Sequence, residues 1–287
     1  MTRDLLTMKG LSRDDIAQML MLAKSGDIGR PLQGKSVAMI FEKPSARTRS
    51  ATEMAVVQLG GHALVIGKDE VGIGTRESAG DVARTMACYH ALIAARVMHH
   101  AVLDAMGAAV QTPVLNLLSD RAHPLQALAD LLTIEQLLGR IEGGRIAWIG
   151  DASNVCASLA QGCAAMGAEL RIASPEGFGL AELPTGVTQC VDPAEAVRGA
   201  RIVCTDVWVS MGQSAEADQR ARALGDYRVD AALMAKSDDA FFLHCLPARR
   251  GEEVTGEVID GPQSAVWRQA ENRMHAARGA IAWMVGA

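Results

Sequence analysis

Short apolar runs alternate with amphipathic helical patterns along most of the chain. The runs fall at 36–41, 63–66, 91–95 and 113–116 in the first half, and at 145–149, 169–173, 201–205 and 241–243 in the second. Strands that alternate with helices are typical of βα units, which build a parallel sheet covered by helices. The pattern predicts an α/β fold of two doubly wound lobes, each with a central parallel sheet flanked by helices.

Local capping patterns mark where several helices begin. Ser12 to Asp15 forms a capping-box pattern ahead of apolar positions 16, 19, 20 and 23, and Ser78 to Asp81 repeats it. A long helical pattern runs from Pro124 to Leu138, and a closing helix is expected from about Pro262 to Met284. These elements complete the alternation of strands and helices.

A glycine-rich stretch at 139–144 separates the two halves and predicts a hinge. We expect a first domain over residues 1–138, with the C-terminal helix 262–287 packing back on it, and a second domain over 139–261. The cleft between the two lobes is the expected place of the active site.

Composition narrows the classes of protein to consider. With 287 residues, 49% of them hydrophobic, the chain is long enough for two domains with cores of their own. A net charge of −5 gives no general attraction to nucleic acid or to an anionic membrane. Six cysteines without a CxxC pair indicate reduced thiols, and no apolar run approaches the ~20 residues of a membrane span. The N-terminus also lacks the apolar core of a signal peptide, so we expect a cytoplasmic enzyme.

The segment FEKPSARTRS follows the first predicted strand and concentrates cations and hydroxyls in an acidic chain. If Ser45 caps the next helix, free N–H groups and the positive end of the helix dipole converge there. Arg47 adds a planar fork that fits phosphate oxygens, and Thr48 adds a hydroxyl. Arg49 lies on another face of the helix. This pattern predicts an anion site, with a solvated helix start as the alternative.

Other patterns bear on cofactors and catalysis. The chain has neither a GxxxxGK[ST] loop nor a GxGxxG fingerprint, which disfavours a nucleotide cofactor and a dinucleotide-dependent dehydrogenase. The adjacent His99 and His100 cannot share a helix face, so no metal site is expected there. His123 and Gln126 are neighbours on one helix face, and Arg96 lies at a strand's C-terminal end, where parallel sheets bind ligands.

Five motifs are spread over nearly the whole chain: FEKPSARTR, HPLQ, DVWVSMG, HCLP and AENRMH. In their residues and their order, these motifs resemble the aspartate/ornithine carbamoyltransferase family. The SMG loop together with HCLP resembles the ornithine branch more than the aspartate branch. The resemblance implies transfer of a carbamoyl group from carbamoyl phosphate to the side-chain amine of L-ornithine, giving L-citrulline and phosphate in arginine metabolism. It also implies a cofactor-free homotrimer with sites near subunit contacts, and neither nucleic acid nor membrane as a partner.

The resemblance carries residue roles for carbamoyl phosphate. The groups that would hold its phosphate are Ser45, the backbone N–H of Ala46, Arg47, Thr48 and Arg96. Those that would face its carbonyl oxygen are Arg96, His123 and Arg273. Its NH₂ group would be held by Gln126 and the backbone carbonyls of Cys245 and Leu246.

The resemblance likewise implies a site for L-ornithine. The implied contacts are Leu118, Asn154, Asp206, Ser210 and Met211, and the Cys245 thiol would lie close to the reacting amine. The catalytic set implied by the family is then Arg96, His123, Gln126, Asp206, Cys245 and Arg273.

The chain departs from the family pattern at three positions. Ala46 stands where the family usually has threonine, which removes a hydroxyl donor to phosphate, and Ser153 replaces the first asparagine of a common pair. Gly72 lies where many members carry a glutamine that reaches a neighbouring subunit's site. Two alternatives stay open: a carbamoyltransferase for another amine, such as putrescine or an acylated ornithine, and a non-catalytic homologue that binds carbamoyl phosphate.

Overall fold

A computed structural model describes residues 3–209 and 216–287. The chain divides into two compact units. The first unit is Met1–Ala129 with Arg273–Ala287, and the second unit is Asp130–Asn272. Within the described ranges, no helix is both long and apolar enough to span a membrane.

The described part of the first unit contains a parallel sheet with the strand order β2-β1-β3-β4. Its strands are β1 Ser36–Phe41, β2 His62–Gly67, β3 Leu92–Arg96 and β4 Val114–Leu118. All five residues of β3 are buried, which is typical of a parallel strand covered on both faces. The β3–β4 register shifts between Ala95 and Arg96, so that Arg96 pairs with Leu118 at the carboxyl edge of the sheet.

Helices cover this sheet. They are α1 Arg13–Lys24, α2 Ala46–Gln58, α3 Lys68–Val71, α4 Ala79–Ala87 and α5 His100–Ala109. The predicted capping box of α1 is present: Ser12 Oγ accepts a hydrogen bond from the Asp15 N–H, and Asp15 accepts one from the Ser12 N–H. The side chains that α1 buries are Ile16, Met19, Leu20 and Ala23, the four apolar positions of the sequence pattern.

In the second unit the described strands form a parallel sheet with the order β7-β6-β5-β8-β9. These strands are β5 Arg145–Ile149, β6 Glu169–Ala173, β7 Val187–Cys190, β8 Ile202–Thr205 and β9 Phe241–His244. The sequence pattern missed β7. This strand lies at the edge of the sheet and exposes Thr188 and Gln189, so it lacks the continuous apolar run of a buried strand.

The helices of the second unit include α7 Asn154–Met166, α8 Pro193–Val197, α9 Ala217–Leu224, α10 Ala231–Met234 and α11 Gly256–Ile259. Two further helices, α6 Pro124–Leu138 and α12 Val266–Met284, contribute residues to both units. The predicted start of the closing helix at Pro262 is wrong by four residues. The Phe242 N–H donates to the Gln263 carbonyl, and the Phe242 carbonyl accepts from the Ala265 N–H. Pairing with β9 therefore keeps this segment extended until Val266.

The prediction of an α/β fold built on parallel sheets flanked by helices is confirmed. In both units, the residues selected by motif lie mainly after the carboxyl ends of strands or at the first turns of helices. Parallel sheets bind ligands at such positions. The predicted boundaries of the two functional domains and the predicted cleft stay predictions.

Candidate active site

The N-terminus of α2 carries the predicted anion motif. Ser45 is the N-cap, and its Oγ accepts a hydrogen bond from the Thr48 N–H at 3.3 Å. Arg47 is exposed in the first turn, whereas Thr48 is buried. Arg49 forms an exposed ion pair with Glu53, with 3.0 Å between Nε and Oε1. The two arginines of the motif thus have different surroundings, and Arg47 is the one left for an anion at the start of the helix.

Thr48 is also the centre of a buried group of side chains from distant parts of the first unit. Its Oγ1 accepts hydrogen bonds from Arg96 Nη1 at 3.3 Å and from Arg273 Nη2 at 3.4 Å. Arg273 Nη1 donates in addition to Gln126 Oε1. With the nearby His123, these side chains form what we call the arginine cluster: Thr48, Arg96, His123, Gln126 and Arg273. All five are buried, with exposed fractions of 9% or less.

Electrostatics within the arginine cluster favour an anion. Burial, together with the smaller effect of repulsion from Arg273 and Arg47, lowers the pKa of Arg96 to about 10. Burial also holds the pKa of His123 well below 6.5, and the two buried arginines act in the same direction. His123 is therefore a neutral imidazole near pH 7. Because the repulsion among these cations would be relieved by a negative charge between them, the cluster is suited to a small anion.

The arginine cluster is built from the end of one strand, β3, the starts of two helices, α2 and α6, and one residue of α12. Arg96 is the last residue of β3 and pairs in register with Phe41 at the end of β1. His123 immediately precedes α6, and the Gln126 N–H donates to the His123 carbonyl at 3.1 Å. Leu118, an implied ornithine contact, ends β4, and its carbonyl accepts a hydrogen bond from the Val97 N–H. Tertiary packing thus brings together groups that are far apart in sequence.

The second unit contains a group of side chains around the carboxylate of Asp206, the residue that follows β8. We call Ser153, Asp206 and Cys245 the carboxylate cluster. Asp206 Oδ1 accepts hydrogen bonds from Cys245 Sγ at 3.0 Å and from the Val207 N–H at 2.8 Å. Its Oδ2 accepts one from Ser153 Oγ at 3.2 Å. The structure therefore brings Asp206 and Cys245 together as expected of a shared site. Ser153, noted from sequence only as a departure from the family pattern, contacts the same carboxylate.

The other implied ornithine contacts are placed as follows. Asn154 is the first residue of α7 and lies next to Ser153, whose hydroxyl caps that helix by accepting from the Val155 N–H. Ser210 and Met211 lie outside the described residues. Leu246 follows Cys245 and adopts a left-handed backbone with φ of 60°.

Sequence reasoning missed an ion pair beside the carboxylate cluster. Asp151, two residues after β5, contacts Arg220 of α9 through Oδ2 and Nη2. Arg220 also donates through Nε to the Trp208 carbonyl at 2.5 Å. Burial raises the pKa of Asp151 to about 6; attraction to Arg220 opposes this shift, and repulsion from Asp206 adds to it. From sequence, Asp151 could have been selected as a site residue because it follows the carboxyl end of a predicted strand. Arg220 could not, because nothing distinguishes it from other charged residues of an amphipathic helix.

Among the residues that the structure describes, one group of side chains has the donor atoms of a metal site. Ligating atoms of Asp206, His244 and Cys245 lie within 4.8 Å of one another. Both nitrogens of the His244 ring already have polar contacts, since Nδ1 accepts from the Leu246 N–H and Nε2 faces Glu253. Binding of a metal through His244 would have to break one of these contacts.

The fold and the two clusters define a two-domain α/β protein with a buried group of arginines in one unit and a carboxylate–thiol pair in the other. Family models support the same class. Residues 3–136 match the carbamoyl-P binding domain, and residues 142–284 match the Asp/Orn binding domain, of aspartate/ornithine carbamoyltransferases. The chain belongs to the aspartate/ornithine carbamoyltransferase family.

Individual relatives are similar to this chain over nearly its full length. The ornithine carbamoyltransferase of Cenarchaeum symbiosum is 44% identical, over 96% of this chain and 95% of that protein. The enzyme of the same name from Hyperthermus butylicus is 46% identical, over 98% and 96%. Among solved structures, ornithine carbamoyltransferase from Pyrococcus furiosus has a TM-score of 0.94 and 39% identity, covering 100% of this chain and 98% of that one. The Thermus thermophilus structure has a TM-score of 0.89 and 40% identity, covering 98% of each.

Proposed function

We propose that this protein transfers the carbamoyl group of carbamoyl phosphate to the side-chain amine of L-ornithine, giving L-citrulline and phosphate. The observation that carries the proposal is the convergence of Arg96 and Arg273 on the Thr48 hydroxyl in a buried setting. Full-length similarity to ornithine carbamoyltransferases supports this donor and this acceptor.

Binding of carbamoyl phosphate is assigned to the start of α2 and to the arginine cluster. The groups proposed to hold the phosphate are Ser45, the N–H of Ala46, Arg47, Thr48 and Arg96. A dianion fits this place because the helix dipole, the free N–H groups and the guanidinium groups all favour negative charge. The repulsion that lowers the pKa of Arg96 is relieved when the dianion binds.

Stabilisation of the transition state is assigned to Arg96, His123 and Arg273. As the amine attacks, the carbonyl oxygen gains negative charge, and buried donors aimed at that oxygen lower the barrier. Since His123 is a neutral imidazole, it acts as a hydrogen-bond donor to the oxygen. We assign the orientation of the carbamoyl NH₂ to acceptors, namely the Gln126 amide and the backbone carbonyls of Cys245 and Leu246.

The acceptor amine must reach the carbonyl carbon without its proton. An alkylamine has a pKa of about 10.4 in solution, so most of the L-ornithine side chain is charged at neutral pH. We propose that Asp206 binds the amino acid, with Cys245 beside the reacting nitrogen, and that contacts from Leu118, Asn154, Ser210 and Met211 complete the site. The new C–N bond forms and the bond from carbon to the phosphate oxygen breaks, so that the phosphate leaves with that electron pair and takes up the proton that the attacking nitrogen loses.

An acceptor assay tests this proposal. Purified protein is given carbamoyl phosphate with L-ornithine, putrescine or N-acetylornithine, and both the carbamoylated product and the released phosphate are measured. We expect L-citrulline from L-ornithine, with kcat/KM well above those of the other two acceptors. Preference for putrescine or N-acetylornithine would establish the alternative carbamoyltransferase. Tight binding of carbamoyl phosphate without any product would establish the non-catalytic alternative.

We also propose a homotrimer with sites near subunit contacts, located in the cytoplasm. The six cysteines are free thiols in the structure, as expected in a reducing compartment. Gly72 ends α3 in a left-handed conformation with φ of 58°, and a side chain added there would meet Arg76. Any contribution to a neighbouring site from this loop therefore has to come from a residue other than Gly72. Sedimentation velocity across a range of protein concentrations measures the assembly.

A further inference from the structure

His244, the last residue of β9, has a side chain with no exposed surface and two directed polar contacts. Its Nδ1 accepts a hydrogen bond from the Leu246 N–H at 2.9 Å. A nitrogen that accepts this bond carries no proton, so the ring proton lies on Nε2. Nε2 then donates to Glu253 Oε1, 3.1 Å away.

Glu253 is buried as completely as His244. Its Oε1 also accepts a hydrogen bond from the Arg249 N–H at 2.6 Å. Burying a carboxylate costs folding free energy, and an apolar side chain of similar size would fill the same space without that cost. What the carboxylate adds is a fixed acceptor for Nε2, which holds the ring in the tautomer whose Nδ1 faces the Leu246 N–H.

Leu246 needs such a partner. Its φ of 60° lies in the left-handed region, which residues other than glycine avoid because of steric contacts at Cβ. The His244 ring supplies a hydrogen bond to the peptide N–H that leads into this conformation. From the other side, the backbone N–H of His244 donates to Gln269 Oε1 at 2.8 Å, which anchors the end of β9.

We propose that His244 is a positioning residue for carbamoyl transfer. Its ring, held by Glu253 in the Nε2-protonated form, sets the backbone of Cys245 and Leu246, whose carbonyls orient the carbamoyl NH₂. The inference rests on the proposed function, because the role of these two carbonyls comes from it.

Two substitutions separate the contacts of the ring. In His244→Asn, the amide oxygen lies close to the former Nδ1 position and can accept from the Leu246 N–H, while the bond to Glu253 is lost. In His244→Gln, the amide group reaches the former Nε2 position and keeps Glu253 as a partner, but the Leu246 N–H loses its acceptor. We expect His244→Gln to raise KM for carbamoyl phosphate about 10- to 100-fold, and His244→Asn to stay within about threefold of wild type.

A purely structural role gives a different result. Both substitutions would then lower the melting temperature while the folded fraction kept the wild-type KM, and this outcome would overturn the proposal. Glu253→Gln is the matched control. Its amide oxygen can still accept from Nε2 and from the Arg249 N–H, so we expect a KM close to that of wild type.

A measurement on the unsubstituted protein covers the case in which neither variant folds. With ¹⁵N-labelled histidine, the ring nitrogens of His244 are expected to show the Nε2-protonated tautomer, and a proton on Nδ1 would overturn the inference. A wild-type protein that forms no L-citrulline refutes the proposed function. An active wild type with an unaffected His244→Gln variant refutes only the role of His244.

Discussion

Replacing Asp151 by asparagine measures the cost of burying a carboxylate next to a second one. The Asp151 side chain is only 15% exposed, it contacts Arg220, and Asp206 lies near enough to repel it. Asparagine has nearly the same shape as the protonated acid and cannot ionise. The difference in unfolding free energy between wild type and Asp151→Asn therefore isolates the ionisation of this one carboxyl group.

The expected sign follows from the direction of the pKa shift. Burial raises the pKa of Asp151 from 3.8 to about 6, so the folded chain binds this proton more tightly than the unfolded chain. Between these pH values the folded state holds more protons, and stability falls as pH rises. From the difference between the two pKa values, we expect the wild type to lose about 3 kcal/mol of unfolding free energy relative to Asp151→Asn.

Urea unfolding at a series of pH values from about 4.5 to 7.5 provides the assay, because linear extrapolation yields the unfolding free energy at each pH. Tryptophan fluorescence is a suitable signal, since the Trp148 indole N–H donates to the Asp151 backbone carbonyl at 2.8 Å. We expect Asp151→Asn to gain stability relative to wild type across this range and the gain to level off above pH 7. Attraction to Arg220 works against this result. If the relative stability of the wild type instead stays level or rises over this range, folding does not raise the pKa of Asp151 and the reasoning from burial is wrong.

Four further predictions concern the proposed reaction and one helix. Arg47→Gln should raise KM for carbamoyl phosphate about tenfold or more, while Arg49→Gln, which only breaks an exposed ion pair, should leave it unchanged; equal effects would contradict the assignment. Ala46→Thr should lower that KM by an amount worth about 0.5–1.5 kcal/mol, and an unchanged KM would mean that water already replaces the hydroxyl. The kcat/KM for L-ornithine should rise from neutral to alkaline pH, because the amine must lose its proton; a flat profile would count against this step. Ser12→Ala should lower the unfolding free energy by about 1 kcal/mol in thermal or urea melts, because the Asp15 N–H loses its cap; no measurable change would show that the cap adds nothing.

Features governed by neighbouring residues were predictable from sequence. The α1 capping box and its four buried apolar positions follow from spacing alone, because a helix repeats every 3.6 residues and its first N–H groups need acceptors. The same holds for Ser45 at the start of α2. Eight of the nine strands within the described ranges correspond to apolar runs, and the exception, β7, is an edge strand with exposed polar positions.

Features created by long-range contacts were not predictable in the same way. The family resemblance selected Arg96 and Arg273 for the site, but no local pattern shows that both donate to Thr48. Asp151 and Arg220 are in contact although they are 69 residues apart in sequence. The pKa of Asp151 depends on its burial, on attraction to Arg220 and on repulsion from Asp206, and all three follow from the tertiary structure. His244 was visible inside a motif, yet its tautomer depends on Glu253.

By itself, the sequence determined the alternation of parallel strands and helices, the helix starts and the candidate anion motif, because each depends on residues a few positions apart. Only the tertiary structure decided which cations share a hydroxyl, which carboxylate is buried beside another, and which imidazole nitrogen holds the proton. These properties depend on distance and burial, and both are set by packing between residues far apart in the chain.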